Sequence, residues 1–175
     1  MSEGKSVGKE AGPVAERLRS GLRRLAKGVV VITAWHEGQR FAMAATAVNE
    51  VSMDPPSLLV CVNRSASLYL PLAGKAGFAI NVLGHAHQEI CGLCAGKAKG
   101  EDRFKVGRWA RFDNGVPYLE DAQASFLCRY ETALDYGTHR IVVGRVEDVR
   151  VEEAISPLIY ADGAFHRLGE RSTPG

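Results

Sequence analysis

Two short segments carry the residue types best suited to holding a ligand. Ala44, Ala45, Thr46 and Ala47 combine small side chains with one hydroxyl, and small side chains let a planar molecule come close to backbone N–H groups. Asn63, Arg64, Ser65, Ala66 and Ser67 offer a cation, two hydroxyls and the first amides of a following helix, which is the equipment of an anion site. Together they suit a ring and its phosphate. Ser65 or Ser67 would equally serve as a plain cap for a helix beginning at Leu68.

Other chemistry-bearing residues admit two readings each. His85, His87, Cys91 and Cys94 have metal-like spacing, yet a Cys-x-x-Cys pair within an amphipathic helix also packs a core, and no βαβ pattern surrounds it as a redox motif would require. We expect core packing and no metal. His139 follows Gly137 and Thr138 in a turn, where its ring either reaches a ligand or stands in solvent. Arg103 and Phe104 clamp a ligand if their charged loop folds over a site, and otherwise form a solvated face. The run Gly96, Lys97, Ala98, Lys99, Gly100 looks like a phosphate loop but lacks the preceding strand and the terminal hydroxyl, and no spaced glycines of a dinucleotide fold follow a strand.

Mostly strands must position these residues. Val14, Leu18, Leu22 and Leu25 recur at the helical period among Arg17, Arg19, Arg23 and Arg24, which predicts an amphipathic helix over 14–26. Val29 to Trp35 and Arg40 to Ala47 read as a hairpin about the turn at His36 to Gln39. Ser57 to Asn63 is a strand entered through Asp54, Pro55 and Pro56, and Phe78 to Leu83 is another. Short helices are predicted at 68–73 and 86–95, then a glycine-punctuated loop over 96–107. Ala124 to Leu134 and Arg140 to Val151 form a long hairpin, and Leu158 to Ala161 with Phe165 to Leu168 close the domain. Several antiparallel strands with three helices predict a closed or nearly closed β-barrel.

The bulk properties narrow the setting. A chain of 175 residues, 46% hydrophobic and 24% charged, is sized for one domain, here 14–168 between tails 1–13 and 169–175. A net charge of +2 with mixed signs speaks against nucleic acid as a partner. Met1 to Pro13 has no apolar signal core, and nothing reaches the roughly 18 to 20 apolar residues of a membrane span. A cytoplasmic protein is expected, with Cys61, Cys91, Cys94 and Cys128 as thiols.

The stretch AMAATAVNEVSMDPPSLLVCVNRSAS from Ala42 to Ser67 resembles the core motif of the short-chain flavin reductases, among them the reductase component of 4-hydroxyphenylacetate monooxygenase and its pyrimidine-catabolism relative. The resemblance extends through Gly28 to Thr33, Glu101 to Phe104, Gly137 to His139, Leu158 to Tyr160, and Phe165 with His166. It implies a mainly β, antiparallel, Greek-key split β-barrel, homodimeric, that binds FMN or FAD, takes a hydride from NADH or NADPH, and releases reduced flavin to a partner monooxygenase. It also implies flavin-ring contacts at Ala45, Thr46 and Ala47, phosphate contacts at Asn63, Arg64, Ser65 and Ser67, a nicotinamide contact at His139, and Phe104 beside the site. Many members have threonine at the position of Ala44 and serine at that of Ala47, which implies looser flavin retention here. A non-catalytic flavin protein and an enzyme like pyridoxamine phosphate oxidase are the alternatives on the same barrel.

Overall fold

The computed structural model describes residues 12–169; the expected tails 1–13 and 169–175 lie outside the described residues except for Gly12, Pro13 and Gly169. The elements run α1 (Pro13–Leu22), β1 (Lys27–Gly28), β2 (Val30–His36), β3 (Gln39–Ala45), β4 (Val48–Met53), β5 (Pro56–Asn63), α2 (Tyr69–Ala73), β6 (Phe78–Val82), α3 (Gln88–Gly92), β7 (Trp109–Arg111), β8 (Pro117–Leu119), β9 (Ala124–Tyr136), β10 (His139–Val151), β11 (Ile159–Ala161) and β12 (Ala164–His166). Among the described residues no helix is long and apolar enough to cross a membrane.

Seven strands pair antiparallel in the order β3-β2-β6-β9-β10-β5-β4. The outermost strands of a flat sheet of that size would lie about 29 Å apart, at roughly 4.8 Å per spacing. Only Thr46 and Ala47 separate β3 from β4, and such a link reaches about 11 Å at most. The sheet therefore has to roll until its two edges meet at this corner, as the sequence predicts for a split barrel. Two small sheets, β1-β11-β12 and β7-β8, lie against it.

Inside the roll, Ile32, Val60, Val62, Leu68, Leu72, Phe78, Ile80 and Val142 form one buried cluster. The roll is tight where β10 crosses Phe78. A Cβ on Gly144 would lie 2.5 Å from the Phe78 ring, so that position accepts no side chain, and the strand register shifts there. A second cluster joins Ala42 and Val31 of the barrel to Ile90, Cys91, Cys94, Phe104 and Leu119 of the covering segment.

One buried carboxamide ties these layers together. Asn81, in β6 between Val31 of β2 and Ser125 of β9, donates to the Val31 carbonyl at 2.9 Å and to Thr33 Oγ1 at 3.2 Å. Its Oδ1 accepts from the Leu119 N–H and from Ser125 Oγ, each at 2.9 Å. Both donors and both acceptor positions are thus used, which is what makes a buried amide tolerable. Thr33 extends the network by donating to the Pro117 carbonyl.

Several elements depart from the pattern in the sequence. The first helix ends at Leu22, not Ala26, and its stripe of Val14, Leu18, Leu22 and Leu25 is 45% to 69% exposed within the single chain. β4 carries no strand signal in the sequence, because an edge strand that is mostly exposed has no alternation to show. The helix expected over 86–95 breaks into a 3-10 turn at His85–His87, then α3, then a wide π-type turn at Leu93–Lys97. Gly96 sits there at φ 122°, a conformation a side chain disfavours. The 96–107 loop contains a further 3-10 turn, Gly100–Phe104.

Asn81→Ala removes all four bonds and strands the buried Leu119 N–H, leaving Ser125 only its longer 3.4 Å bond to the Leu119 carbonyl, so it should cost about 2 to 5 kcal/mol of folding free energy. Denaturant unfolding of the variant checks this; a midpoint equal to that of the parent would refute the network's role.

Candidate functional site

Alternation along β3 sets the floor of the site. Ala42 and Ala44 face the covering segment while Met43 and Ala45 face the barrel interior. Because those facing residues are small, a recess of about 290 Å³ remains above the strand, lined by Val29, Ala44, Ala45, Thr46, Cys91 and Ala95 and walled by Tyr160 and Phe165. The two aromatic rings meet edge-on at a centroid distance of 5.7 Å. They are 40% and 37% exposed, so their faces remain available to a flat ligand.

A second recess of about 550 Å³ adjoins the first at Ala44 and Ala95, which line both. Its character is different: Ser65, Ser67, Lys99 and Arg103 stand on its walls. Arg103 donates to the Ala42 carbonyl at 2.6 Å, to Ser67 Oγ at 2.7 Å and to the Ala98 carbonyl at 3.1 Å. These partners are neutral, so its charge stays uncompensated, and among the described residues Lys99 has no carboxylate partner either. An apolar slot thus lies beside a cationic, hydroxyl-lined one, a pairing that suits a ring on one side and an anion on the other.

The charged loop is fixed by two arginines. Arg40 of β3 pairs with Glu101 through Nε at 3.0 and 3.2 Å and also through its terminal nitrogen. That hydrogen bonding holds the Glu101 carboxyl below its ordinary range. Arg40 also lies 4.2 Å over the Phe104 ring. With Arg103 bound to Ala42 on the other side, the loop folds onto β3 and forms the recess wall.

The expected site residues divide into groups. Ala45 and Thr46 line the apolar recess, and Ser65 and Ser67 line the cationic one. Ala47 lines neither; its carbonyl accepts from the Cys61 N–H at 3.1 Å and so joins the corner to β5. Asn63 is occupied locally, its Oδ1 accepting from both the N–H and the hydroxyl of Ser65 at 2.9 Å. Arg64 turns to the hairpin tip, where it donates to the Gly137 carbonyl while its own N–H donates to the Thr138 carbonyl at 3.0 Å.

His139 stands at that tip, paired in register with Asn63 and with Nδ1 2.9 Å from Thr138 Oγ1. Neither Arg64 nor His139 lines the two recesses. Phe104 is buried behind the wall, edge-on to Trp109 at 5.0 Å, and supports the site without facing it. Lys99 was not singled out by the sequence. Its signal was the Gly96 to Gly100 run, whose glycines at φ 122° and 52° bend the chain and bring the lysine to the wall.

The thiols serve as walls. Cys91 and Cys94 are buried in the second core cluster and edge the two recesses. Burial raises the Cys91 thiol and pushes Cys94 up to about 12, against the opposing pull of Arg103. Cys128, inside the barrel, is likewise pushed by burial to about 12. His87 points elsewhere: its Nδ1 accepts from the Gly84 N–H at 3.0 Å and its Nε2 lies 3.5 Å from Asp121. Among the described residues no group of three or more His, Cys, Asp or Glu is arranged to hold a metal ion.

Comparison with known proteins bears on this arrangement. The flavin reductase-like domain model matches residues 22–169. The reductase component of an FADH2-dependent resorcinol hydroxylase from Rhizobium sp. strain MTP-10005 is 40% identical over 154 residues, 87% of this chain and 86% of that protein. An NADH-dependent FMN reductase of Variovorax paradoxus strain S110 is 39% identical over 150 residues, 86% of this chain and 83% of that protein. Among solved structures, the flavin reductase component of a bacterial two-component tryptophan halogenase superposes with a TM-score of 0.81 at 32% identity, covering 89% of this chain and 99% of that one.

A thiol whose pKa lies near 12 is almost wholly protonated at pH 8, and only the thiolate attacks. Cys94 and Cys128 should therefore react with a disulfide reagent only when the protein unfolds. Thiol counting at pH 8 with and without denaturant measures this; rapid modification of all four cysteines in the native protein would contradict the burial.

Proposed function

The chain belongs to the flavin reductase-like family, and on that premise we propose that it uses NADH to reduce FMN or FAD and hands the reduced flavin to a partner oxygenase. The observation that carries this reading is the adjoining pair of recesses, one apolar and one cationic, which suits a tricyclic ring bearing a phosphate. The relatives fit: one is named an NADH-dependent FMN reductase, another the reductase component of a hydroxylase. Use of NADPH is the weaker alternative. Free thiols suit a cytoplasmic setting.

The residues present fit a flavin. Ala44, Ala45 and Ala95 leave room for its ring, and Arg103, Lys99, Ser65 and Ser67 supply the charge and hydrogen bonds its phosphate needs. When bound, the flavin supplies the hydride acceptor and the nicotinamide the donor, so no side chain need act as acid, base or nucleophile. The protein's part is placement. Tyr160 and Phe165 would wall the ring against water, and Ala44 and Ala45 on the β3 floor would hold it with one face left open to the nicotinamide. With alanine at 44, no side-chain hydroxyl holds the ring there, which suits a flavin that must leave.

The exposed stripe on α1, together with exposed Val51, Met53, Leu134 and Tyr136, supports a homodimer, since apolar surface of this extent is normally covered and two-fold closure is its commonest cover. Light scattering at micromolar concentration should give twice the chain mass of 18.9 kDa; a monomer would overturn the pairing.

Catalysis is tested by NADH oxidation, which should rise with added FMN or FAD; absence of turnover with both would end the reductase reading. The anchor is tested by substitution. Arg103→Gln removes a half-buried, charge-assisted contact of about 1 to 2 kcal/mol and should raise the Kd for FMN about five- to thirtyfold. Arg64→Gln, whose guanidinium is engaged at the hairpin tip, should change it less than about threefold by the same reasoning. Equal losses in the two variants would place the phosphate elsewhere.

A further inference from the structure

A third recess adjoins the apolar one on the side away from Arg103. It measures about 310 Å³ and shares Thr46 and Tyr160 with the apolar recess. Its other walls come from the end of α1 and from β1, including Arg19, Arg23 and Lys27, with Asp162 opposite. Pairing of β1 with β11 sets Lys27 directly across from Tyr160, so the lysine's place at the mouth is fixed by backbone hydrogen bonds.

The charges there are unequal in availability. Arg23 is consumed as a fastener: its Nε donates to Asp162 Oδ1 at 2.9 Å and its terminal nitrogen to the Asp162 carbonyl at 3.0 Å. The Asp162 N–H in turn donates to the Arg23 carbonyl at 2.8 Å. That clamp holds α1 against the β11–β12 turn and neutralises the one acid on the rim. Arg19 and the half-buried Lys27 have no carboxylate partner among the described residues, so the recess keeps a net positive charge.

The apolar slot is therefore flanked by two cationic ends, and a flavin with one phosphate uses only one of them. We infer that the recess of Arg19 and Lys27 binds the pyrophosphate of the nicotinamide dinucleotide, whose ring enters the apolar slot past Thr46 and Tyr160 to meet the flavin anchored from the opposite end. This assignment rests on the reductase reading for the identity of the second ligand. A pyrophosphate lies one ribose away from the nicotinamide, and it is the part of the donor that seeks cations. The arrangement separates the two ligands by their charged ends, so each can bind and leave without displacing the other's anchor.

The test uses FMN, which has no pyrophosphate, as the flavin and NAD+, which cannot reduce it, as the probe. Equilibrium titration of the FMN-loaded protein should show the Arg19→Gln, Lys27→Gln double variant binding NAD+ about five- to thirtyfold more weakly. FMN affinity should stay within about twofold, and the salt dependence of NAD+ binding should become shallower, as two screened contacts are lost. Arg19→Lys with Lys27→Arg should restore most of the affinity. Unchanged NAD+ affinity, or no NAD+ binding by the parent protein, overturns the inference, as does a loss confined to FMN. His139→Ala is the comparison: weakened NAD+ binding there, with none in the double variant, would put the dinucleotide at the hairpin tip instead. If the parent protein oxidises no NADH yet the double variant still loses NAD+ affinity, the reductase reading fails while this binding site stands.

Discussion

The structure depends on the carboxamide of Asn81. A buried amide is destabilising unless each donor and acceptor is matched, and here the four partners come from β2, the β8 strap and β9. Satisfying one side chain therefore fixes the relative position of elements that are distant in sequence. The consequence reaches the cleft through Leu119, whose N–H is held by Asn81 and whose side chain packs with Ile90, Cys91, Cys94 and Phe104. The segment that walls both ligand recesses is thus anchored to the barrel through a polar network as well as by apolar contact.

Rolling of the sheet creates the other half of the cleft. With two residues between β3 and β4, the barrel's edges converge at Thr46 and Ala47. Small residues at 44 and 45 leave the floor of the apolar recess. Gly144 is the counterpart on the far wall, where the absence of a side chain admits Phe78 to the interior.

Electrostatics then gives the apolar slot its direction. Arginines of this chain do two kinds of work. Arg23, Arg40, Arg64 and Arg140 fasten elements, each spending its guanidinium on a carboxylate or carbonyl in another segment or strand. Arg103 fastens as well, but to neutral oxygens, and so retains its charge at the cleft. Compensation, more than the count of basic residues, decides where an anion is drawn.

The sequence alone determined the antiparallel strands, the long hairpin over 124–151, the motif around Ala44 to Ser67 and with it the family, because alternation, turn residues and short motifs are local properties of the chain. It also marked Ala45, Thr46, Ser65 and Ser67, which do line the cleft. It placed His139 in the hairpin turn and offered Arg103 as a ligand clamp, but it did not reveal that Arg64 turns to that tip, that Phe104 supports the wall from behind, or that Lys99 joins Arg103 at the recess. It showed the apolar stripe of α1 but not that a single chain leaves it uncovered. β4 escaped notice because an exposed edge strand needs no apolar alternation. Those outcomes belong to the tertiary structure, since whether a cation is neutralised or an aromatic ring is buried depends on partners as many as 139 residues away, as Asp162 is from Arg23. No local pattern encodes such a pairing; only the closed fold brings its members within a few ångströms.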